Sequence, residues 1–304
     1  MRALRPVVVM LPVVVGALVG TATPAAAHGN PGIEPTNFQV RVRDLIPSVD
    51  GIEVRPVDLG DQFQLENDSG ALVEVLDFEG DVIVRVRSGE TKQWHEHRAV
   101  WDGDEPPVVQ EDPNRRHVVR TWEVELRRDG ERIVLTGDIV WIPPPSPWPW
   151  VVLAIALCAT ILLASRASWW RAALAVTLTA AVIATTLLLA GRWAATTEST
   201  ATKLGAAVYG LAGIVLGLAA LVWLVRARDP SAATPVVLVA GVVIVIAGGL
   251  AHVGLLGHSE LPTDLAPFLA RLAVAVSLGT GAALVVAAAL RLRPTDRRSI
   301  PVRT

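Results

Sequence analysis

Residues 141–165 read WIPPPSPWPWVVLAIALCATILLAS and divide the chain into two parts of different chemistry. The prolines that begin at Pro143 favour a stiff, extended spacer, while Trp148 and Trp150 suit the level of lipid headgroups. The apolar run that follows approaches the length of about 20 residues that a helix needs to cross a bilayer. The sequence therefore predicts a linker over 143–150 between an aqueous domain and a membrane domain.

The charges divide at the same place. Residues 28–147 carry 24 acidic and 13 basic side chains, a net charge of −11, whereas residues 148–304 carry 5 and 12, a net charge of +7. A hydrophobic content of 52% and a mean hydropathy of +0.46 are too high for a soluble protein of 304 residues. An acidic domain joined to a membrane domain with basic loops is predicted, and nucleic acid is disfavoured as a partner.

The first 27 residues are typical of a signal peptide. A basic start is followed by an apolar run from Pro6 to Gly20 and by Ala25-Ala26-Ala27, a small-x-small cleavage pattern. Cleavage after Ala27 would make His28 the first residue of the mature chain. An uncleaved anchor is the alternative.

Short segments of alternating polarity occupy the domain predicted over 28–142. Turn signals separate them, including Asp129-Gly130, which is typical of a hairpin. The segments are 38–43, 52–57, 62–66, 72–76, 82–87, 122–126 and 132–136. The predicted fold class is α+β in two segregated parts: an extracytoplasmic antiparallel β-sandwich of the immunoglobulin or cupredoxin kind, followed by a five-helix transmembrane bundle.

Five apolar runs predict the transmembrane helices of a membrane domain over 151–293. They lie at about 149–165, 169–190, 204–225, 235–256 and 266–290. The ends that would face the cytoplasm carry nine arginines: Arg166, Arg171, Arg226, Arg228, Arg291, Arg293, Arg297, Arg298 and Arg303. The opposite loops carry only Arg192 and Lys203. The positive-inside rule predicts a plasma-membrane protein with the N-terminal domain outside and the tail, 294–304, in the cytoplasm.

The motif with the most chemical potential is Trp94-His95-Glu96-His97-Arg98. If the segment is extended, the two imidazoles share a face, about 7 Å apart at Cα, and His28 would add a terminal amine and a third ring. Such a nitrogen-rich set suits Cu(II) before zinc. We therefore expect a metal site of His28, His95 and His97, although the pair could instead flank a structural contact between Trp94 and Arg98.

The site partly resembles the histidine brace of CopC-type periplasmic copper proteins, whose mature chains start with histidine. The resemblance covers His28 and the 95/97 pair, not the strands. The whole chain resembles bacterial membrane proteins built of a signal peptide, a β-sandwich and five helices, with Trp-His-x-His-Arg and Trp-x-Pro-Pro-Pro-x-Pro-Trp-Pro-Trp motifs, here Trp94–Arg98 and Trp141–Trp150. That resemblance implies no settled activity.

Three further histidines are weaker candidate ligands. His117 follows two arginines and is typical of a solvated turn. His252 lies near the outer end of the fourth apolar run, and His258, Glu260 and Asp264 follow it. Because polar groups at that depth are costly unless paired, they indicate either an ordinary polar loop or a second cation site.

The leading functional hypothesis is a membrane-anchored metal-binding protein for copper handling or uptake. Its expected partners are the bilayer, the metal ion and a copper chaperone or transporter. The alternative is a non-catalytic surface, envelope or sensory protein that binds no metal. A copper oxygenase ranks third, because a histidine brace can activate oxygen with copper but nothing in the sequence specifies a substrate groove. Phosphate-loop, dinucleotide, nucleophile-elbow and His-Glu-x-x-His motifs are all missing from the sequence. The single cysteine, Cys158, excludes an intramolecular disulfide and a cysteine-based metal site.

Overall fold

The computed structural model describes residues 34–101, 103–195 and 200–292. The predicted signal peptide, His28 and the predicted tail therefore lie outside the described residues. The part before the linker, called here the β unit, contains eight strands and one short helix, α1, Pro107–Glu111. The strands are β1 Phe38–Ile46, β2 Ile52–Val57, β3 Gln62–Asn67, β4 Val73–Leu76, β5 Val82–Val86, β6 Glu90–His95, β7 His117–Arg128 and β8 Glu131–Trp141.

The strands form two antiparallel sheets. One has five strands in the order β1-β8-β7-β4-β5, and the other has three in the order β2-β3-β6. Strand β6 was not among the predicted strands because Trp94 is its only buried residue, so its sequence shows no apolar alternation. Strands β7 and β8 are also longer than predicted, at 12 and 11 residues.

The hairpin predicted at Asp129-Gly130 joins β7 to β8. Both residues have positive φ angles, 49° and 87°. This is the backbone of a type I′ turn, whose twist matches that of the flanking strands. Arg128 therefore pairs with Glu131, and the register continues toward Trp141.

The core of the β unit lies where the two sheets share buried side chains. Phe63 of β3 packs at 5.7 Å from the ring of Trp94 and at 5.1 Å, edge-on, from that of Trp122 on β7. Gly137 on β8 makes room for the Trp122 ring, since a Cβ there would lie 2.1 Å from a ring carbon and 2.2 Å from the Arg41 carbonyl oxygen. Aromatic packing and one missing side chain thus join β3, β6, β7 and β8.

The second part, called here the helical unit, contains five α-helices: α2 Trp148–Ala164, α3 Trp170–Ala194, α4 Thr200–Arg226, α5 Thr234–Ile244 and α6 Pro267–Leu292. Four spans within the described residues are long and apolar enough to cross a membrane, namely Trp170–Ala194, Lys203–Arg226, Ser231–Leu256 and Pro267–Leu292. They indicate a multi-pass membrane protein. Helix α2 is apolar but shorter, at 17 residues, and its crossing stays a prediction.

The fourth span covers the helix predicted over 235–256 but is not α-helical throughout, and it is called here the broken span. Helix α5 gives way to a π-helical turn, Val245–Gly249, and then to a 3₁₀ segment, Leu250–Leu256. The π turn ends at Gly248-Gly249, where it passes to the 3₁₀ segment. Glycine has no Cβ, so it adopts altered helical geometry more easily than other residues do. A Cβ on Gly248 would lie 2.8 Å from the Thr185 hydroxyl and 2.9 Å from that of Ser277.

Two arginines donate hydrogen bonds to backbone carbonyl oxygens at helix C-termini, on the side of the helical unit away from the β unit. Arg171 of α3 donates to the carbonyl oxygens of Leu224 (2.7 Å) and Ala227 (3.1 Å), so it caps the C-terminus of α4. Arg291 of α6 donates to the Ala287 carbonyl oxygen (3.0 Å) and lies 4.4 Å from the Trp170 ring centroid. These residues hold neighbouring helices together as well as adding positive charge.

Candidate functional site

The β unit is hydrogen-bonded to the helical unit through a short antiparallel bridge. The amide of Thr36 donates to the Glu260 carbonyl oxygen (3.1 Å), and the Glu260 amide donates back to Thr36 (2.9 Å). Gln39 adds a bond from Nε2 to Oε1 of Glu260 (3.0 Å). The loop after the fourth span therefore pairs with the chain that enters β1.

Side chains extend this contact. Asn37 accepts from the Ser259 amide (3.0 Å), and the Ser259 hydroxyl donates to the carbonyl oxygen of Pro143 in the linker (2.7 Å). Arg271 on α6 orders the same loop by donating to the carbonyl oxygens of Leu255 (3.1 Å) and His258 (2.9 Å). We call the contact formed by Thr36, Asn37, Gln39, Ser259 and Glu260 the junction.

Four of the five histidines in the described part of the chain lie at the end of the β unit that bears the junction or in the loop region that meets it. Strand pairing establishes this for the β unit, because Phe38, which follows the junction, pairs with Trp141, and Trp141 pairs with His117. His95 ends β6 beside the start of β3, where Gly60 packs on Val40. His252 and His258 belong to the broken span and its loop.

The motif around His95 divides into an inward and an outward half. Glu96 is buried, with 2% of its surface exposed, and its carboxylate accepts from Trp94 Nε1 (3.1 Å) and from Arg98 Nη2 (2.7 Å). Arg98 also donates to the Leu76 carbonyl oxygen (3.0 Å). The structural contact between Trp94 and Arg98 is thus present and runs through Glu96, a role that was not predicted for this residue. His95 and His97 face outward and are exposed.

His95 is paired with Asp61, which was not among the predicted site residues. Its Nδ1 lies 3.2 Å from Oδ2 of Asp61, and both side chains are more than half exposed, at 60% and 53%. A carboxylate on one ring nitrogen fixes the tautomer and directs the other nitrogen outward, as it does for many metal-ligating histidines. Only the pairing of β3 with β6, which brings Gln62 opposite His95, places Asp61 there.

His97 has different surroundings. The extended backbone expected through this residue ends at His95, and His97 begins a 3₁₀ turn, His97–Ala99. It borders an open groove of about 510 Å³ whose charged lining consists of three arginines and three carboxylates: Arg98, Arg120, Arg132, Asp77, Glu123 and Glu125. The arginines oppose a bound cation and the carboxylates attract one, so the paired carboxylate at His95 is what makes that position the better candidate.

The weaker candidates have backbone partners or lie in a cavity. Nε2 of His117 donates to the Asp112 carbonyl oxygen (2.7 Å), and Nδ1 of His258 donates to that of Gly254 (2.8 Å). Nδ1 of His252 is buried and has no hydrogen-bond partner among the described residues. His252 and His258 line a cavity of about 300 Å³ together with Arg192. Glu260, which was expected to share a second cation site, is engaged in the junction.

A complete metal site is not formed within residues 34–101, 103–195 and 200–292, where no three His, Cys, Asp or Glu side chains converge. Any site at His95 would therefore need a ligand from elsewhere, and His28 is the residue that the sequence offers. The placement of His28 lies outside the described residues, so the three-histidine site stays a prediction.

Comparison of the chain with protein-family models, with curated proteins and with solved structures finds no match.

Proposed function

We propose that this protein is a non-catalytic multi-pass membrane protein whose β unit, a β-sandwich on the exterior face of the plasma membrane, binds a ligand or another protein and is mechanically linked to the helices. The junction carries the proposal. A domain that served only to extend a binding surface could hang from the proline-rich linker, whereas here Thr36, Asn37 and Gln39 are bonded to the loop at Ser259 and Glu260.

The hydrogen bonds of the junction could pass a movement of the β unit to the helices, which a flexible tether could not do. The loop that they hold follows the broken span directly, and Arg271 ties it to α6. A shift of β1 would therefore move the end of the broken span and the start of α6 together. Hydrogen bonds of this kind contribute about 1 kcal/mol each, so the junction is strong enough to form and weak enough to reorganise on binding.

Two measurements test the proposal. With Cys158 replaced by Ala, a cysteine at Glu79 should react with a membrane-impermeant maleimide in intact cells, and a cysteine at Arg228 only after lysis; the reverse pattern excludes an exterior β unit. Hydrogen exchange of the full chain in detergent should show protected Thr36 and Glu260 amides in the native protein. The double variant Asn37→Ala/Ser259→Ala should lose that protection, and equal exchange in both proteins would show that the two units are not linked.

Copper binding is the second candidate, because the Asp61–His95 pair has the arrangement described above for a metal-ligating histidine. The ligands would be the His28 amine and ring together with His95, with His97 as a weaker neighbour. The pair lies at the end of the β unit where the described chain begins at Glu34, and His28 is six residues earlier in the sequence.

Titration of the full chain with Cu(II) tests this candidate. A native His28 start should bind one Cu(II) with nitrogen-rich paramagnetic resonance parameters, and Asp61→Asn should weaken binding about 10- to 100-fold, the usual cost of losing such a carboxylate. One added residue before His28 should weaken binding as well, while His117→Ala should not. Copper affinity that is unchanged by both the added residue and His95→Ala would end the metal hypothesis.

A further inference from the structure

The cavity beside the junction has no part in the function proposed above. It has a volume of about 300 Å³ and is bounded by the end of α3, by the 3₁₀ segment of the broken span and by Glu34 and Pro35, which precede β1. Pro35 closes over the 3₁₀ segment, since a Cβ on Gly254 would come within 2.9 Å of its ring. This volume is at the lower end of ligand pockets, roughly 300–1,000 Å³, and suits a small headgroup.

The polar lining favours an anion. Arg192, His252 and His258 supply nitrogen atoms, and Glu34 is the single carboxylate among the lining residues. His252 lines the cavity, and its ring lies within reach of the Ala247 backbone, while Nδ1 is shielded from solvent with no hydrogen-bond partner of normal geometry among the described residues. A polar group bound beside this ring would offset part of the cost of its burial. A cation is disfavoured because Arg192 shares the cavity and because no three metal-ligating side chains converge in the described part of the chain.

The rim of the cavity is apolar and faces outward. Leu250 and Val253 line the cavity and remain 55% and 49% exposed, and Trp193, next to Arg192, is 50% exposed. Tryptophans are typical of the headgroup level of a bilayer, and exposed leucine and valine beside them suit acyl chains. A molecule with a phosphate inside the cavity and acyl chains at its rim would complement both the basic lining and the apolar rim.

We propose that this cavity binds the phosphate of a membrane phospholipid, with Arg192 as its principal contact and Leu250 and Val253 against its acyl chains. The geometry places the headgroup beside the loop at Ser259 and Glu260. A lipid in this position would fill the space between the broken span and the chain that enters β1.

The test uses the full-length protein in detergent and three probes: dioctanoylphosphatidylglycerol, dioctanoylglycerol and inorganic phosphate. Native mass spectrometry counts bound lipid, and the midpoint of thermal unfolding gives apparent affinity. The phospholipid should bind, and Arg192→Gln should weaken it about 10- to 100-fold, the usual range for losing a charge-assisted hydrogen bond. The matched control Lys203→Gln removes another basic residue from the same side of the membrane, one that does not line the cavity, and should leave binding unchanged.

Several results with these probes and variants would contradict the binding of a phospholipid phosphate. Equal binding of dioctanoylglycerol would show that the cavity takes acyl chains without a phosphate. Inorganic phosphate that binds as tightly as the phospholipid would indicate a free-anion site. Equal weakening by Lys203→Gln would indicate nonspecific attraction between lipid and protein charge. If Arg192→Gln impairs folding, Arg192→Lys, which retains the charge without the planar fork, should still weaken phospholipid binding relative to the native protein.

Discussion

Replacement of the buried Glu96 by Ala should destabilise the β unit more than replacement of an exposed carboxylate does. The substitution removes the acceptor of Trp94 Nε1, of the Arg98 backbone amide and of the Arg98 guanidinium. Arg98 has only 12% of its side chain exposed, so its charge would be left in a mostly buried position with the Leu76 carbonyl oxygen as its remaining acceptor among the described residues. Breaking a buried ion pair in this way costs about 3–5 kcal/mol of the free energy of unfolding.

Hydrogen exchange of the most protected amides in β7 and β8 measures this loss in the full chain. A loss of 3–5 kcal/mol corresponds to an increase of about two to nearly four orders of magnitude in exchange rate. Glu96→Gln should lie between the native protein and Glu96→Ala, because it keeps one acceptor oxygen and loses the charge. The control Glu66→Ala, at an exposed position on β3, should change the free energy of unfolding by about 0.5 kcal/mol or less. If Glu96→Ala falls within about 1 kcal/mol of that control, the buried pair does not stabilise the fold as argued.

Three further predictions rest on separate features. Gly137→Ala should lower the free energy of unfolding by about 1–3 kcal/mol through overlap with the Trp122 ring, whereas Gly103→Ala, with its nearest ring atom at 3.9 Å, should be neutral in the same denaturation assay. Arg171→Ala should speed amide exchange in the last turn of α4, while Arg228→Ala, which removes an exposed charge from the same side, should not. Equal effects of the two substitutions would show that Arg171 does not stabilise the end of α4 through its hydrogen bonds. Mass spectrometry of the mature chain should find His28 at its start, and any other terminus removes the amine ligand from the copper hypothesis.

The broad architecture was predictable because it depends on local patterns. Alternation and turn residues indicated antiparallel strands, and apolar length indicated the helices. The break at Gly248-Gly249 was not predicted, because hydropathy over the fourth run continues through it without interruption. Strand β6 was not predicted because it has a single buried residue, so its sequence shows no alternation of apolar and polar residues.

The candidate site was less predictable because it depends on distant residues. Gln39 and Glu260 meet 221 positions apart, and Asp61 reaches His95 only through strand pairing. The role of Glu96 did leave a signal. If Trp94 faces inward in an extended segment, Glu96 two residues later faces the same way, and a buried carboxylate requires a partner such as Arg98.

The division of the Trp94–Arg98 motif into inward and outward residues separates two evolutionary pressures. Trp94, Glu96 and Arg98 are constrained by folding, so their retention among descendants of this chain would say nothing about activity. His95 and His97 point to solvent, and the core loses no packing when they change. Persistent retention of these two imidazoles, beyond that of neighbouring exposed positions, would therefore report selection on what the exterior surface does.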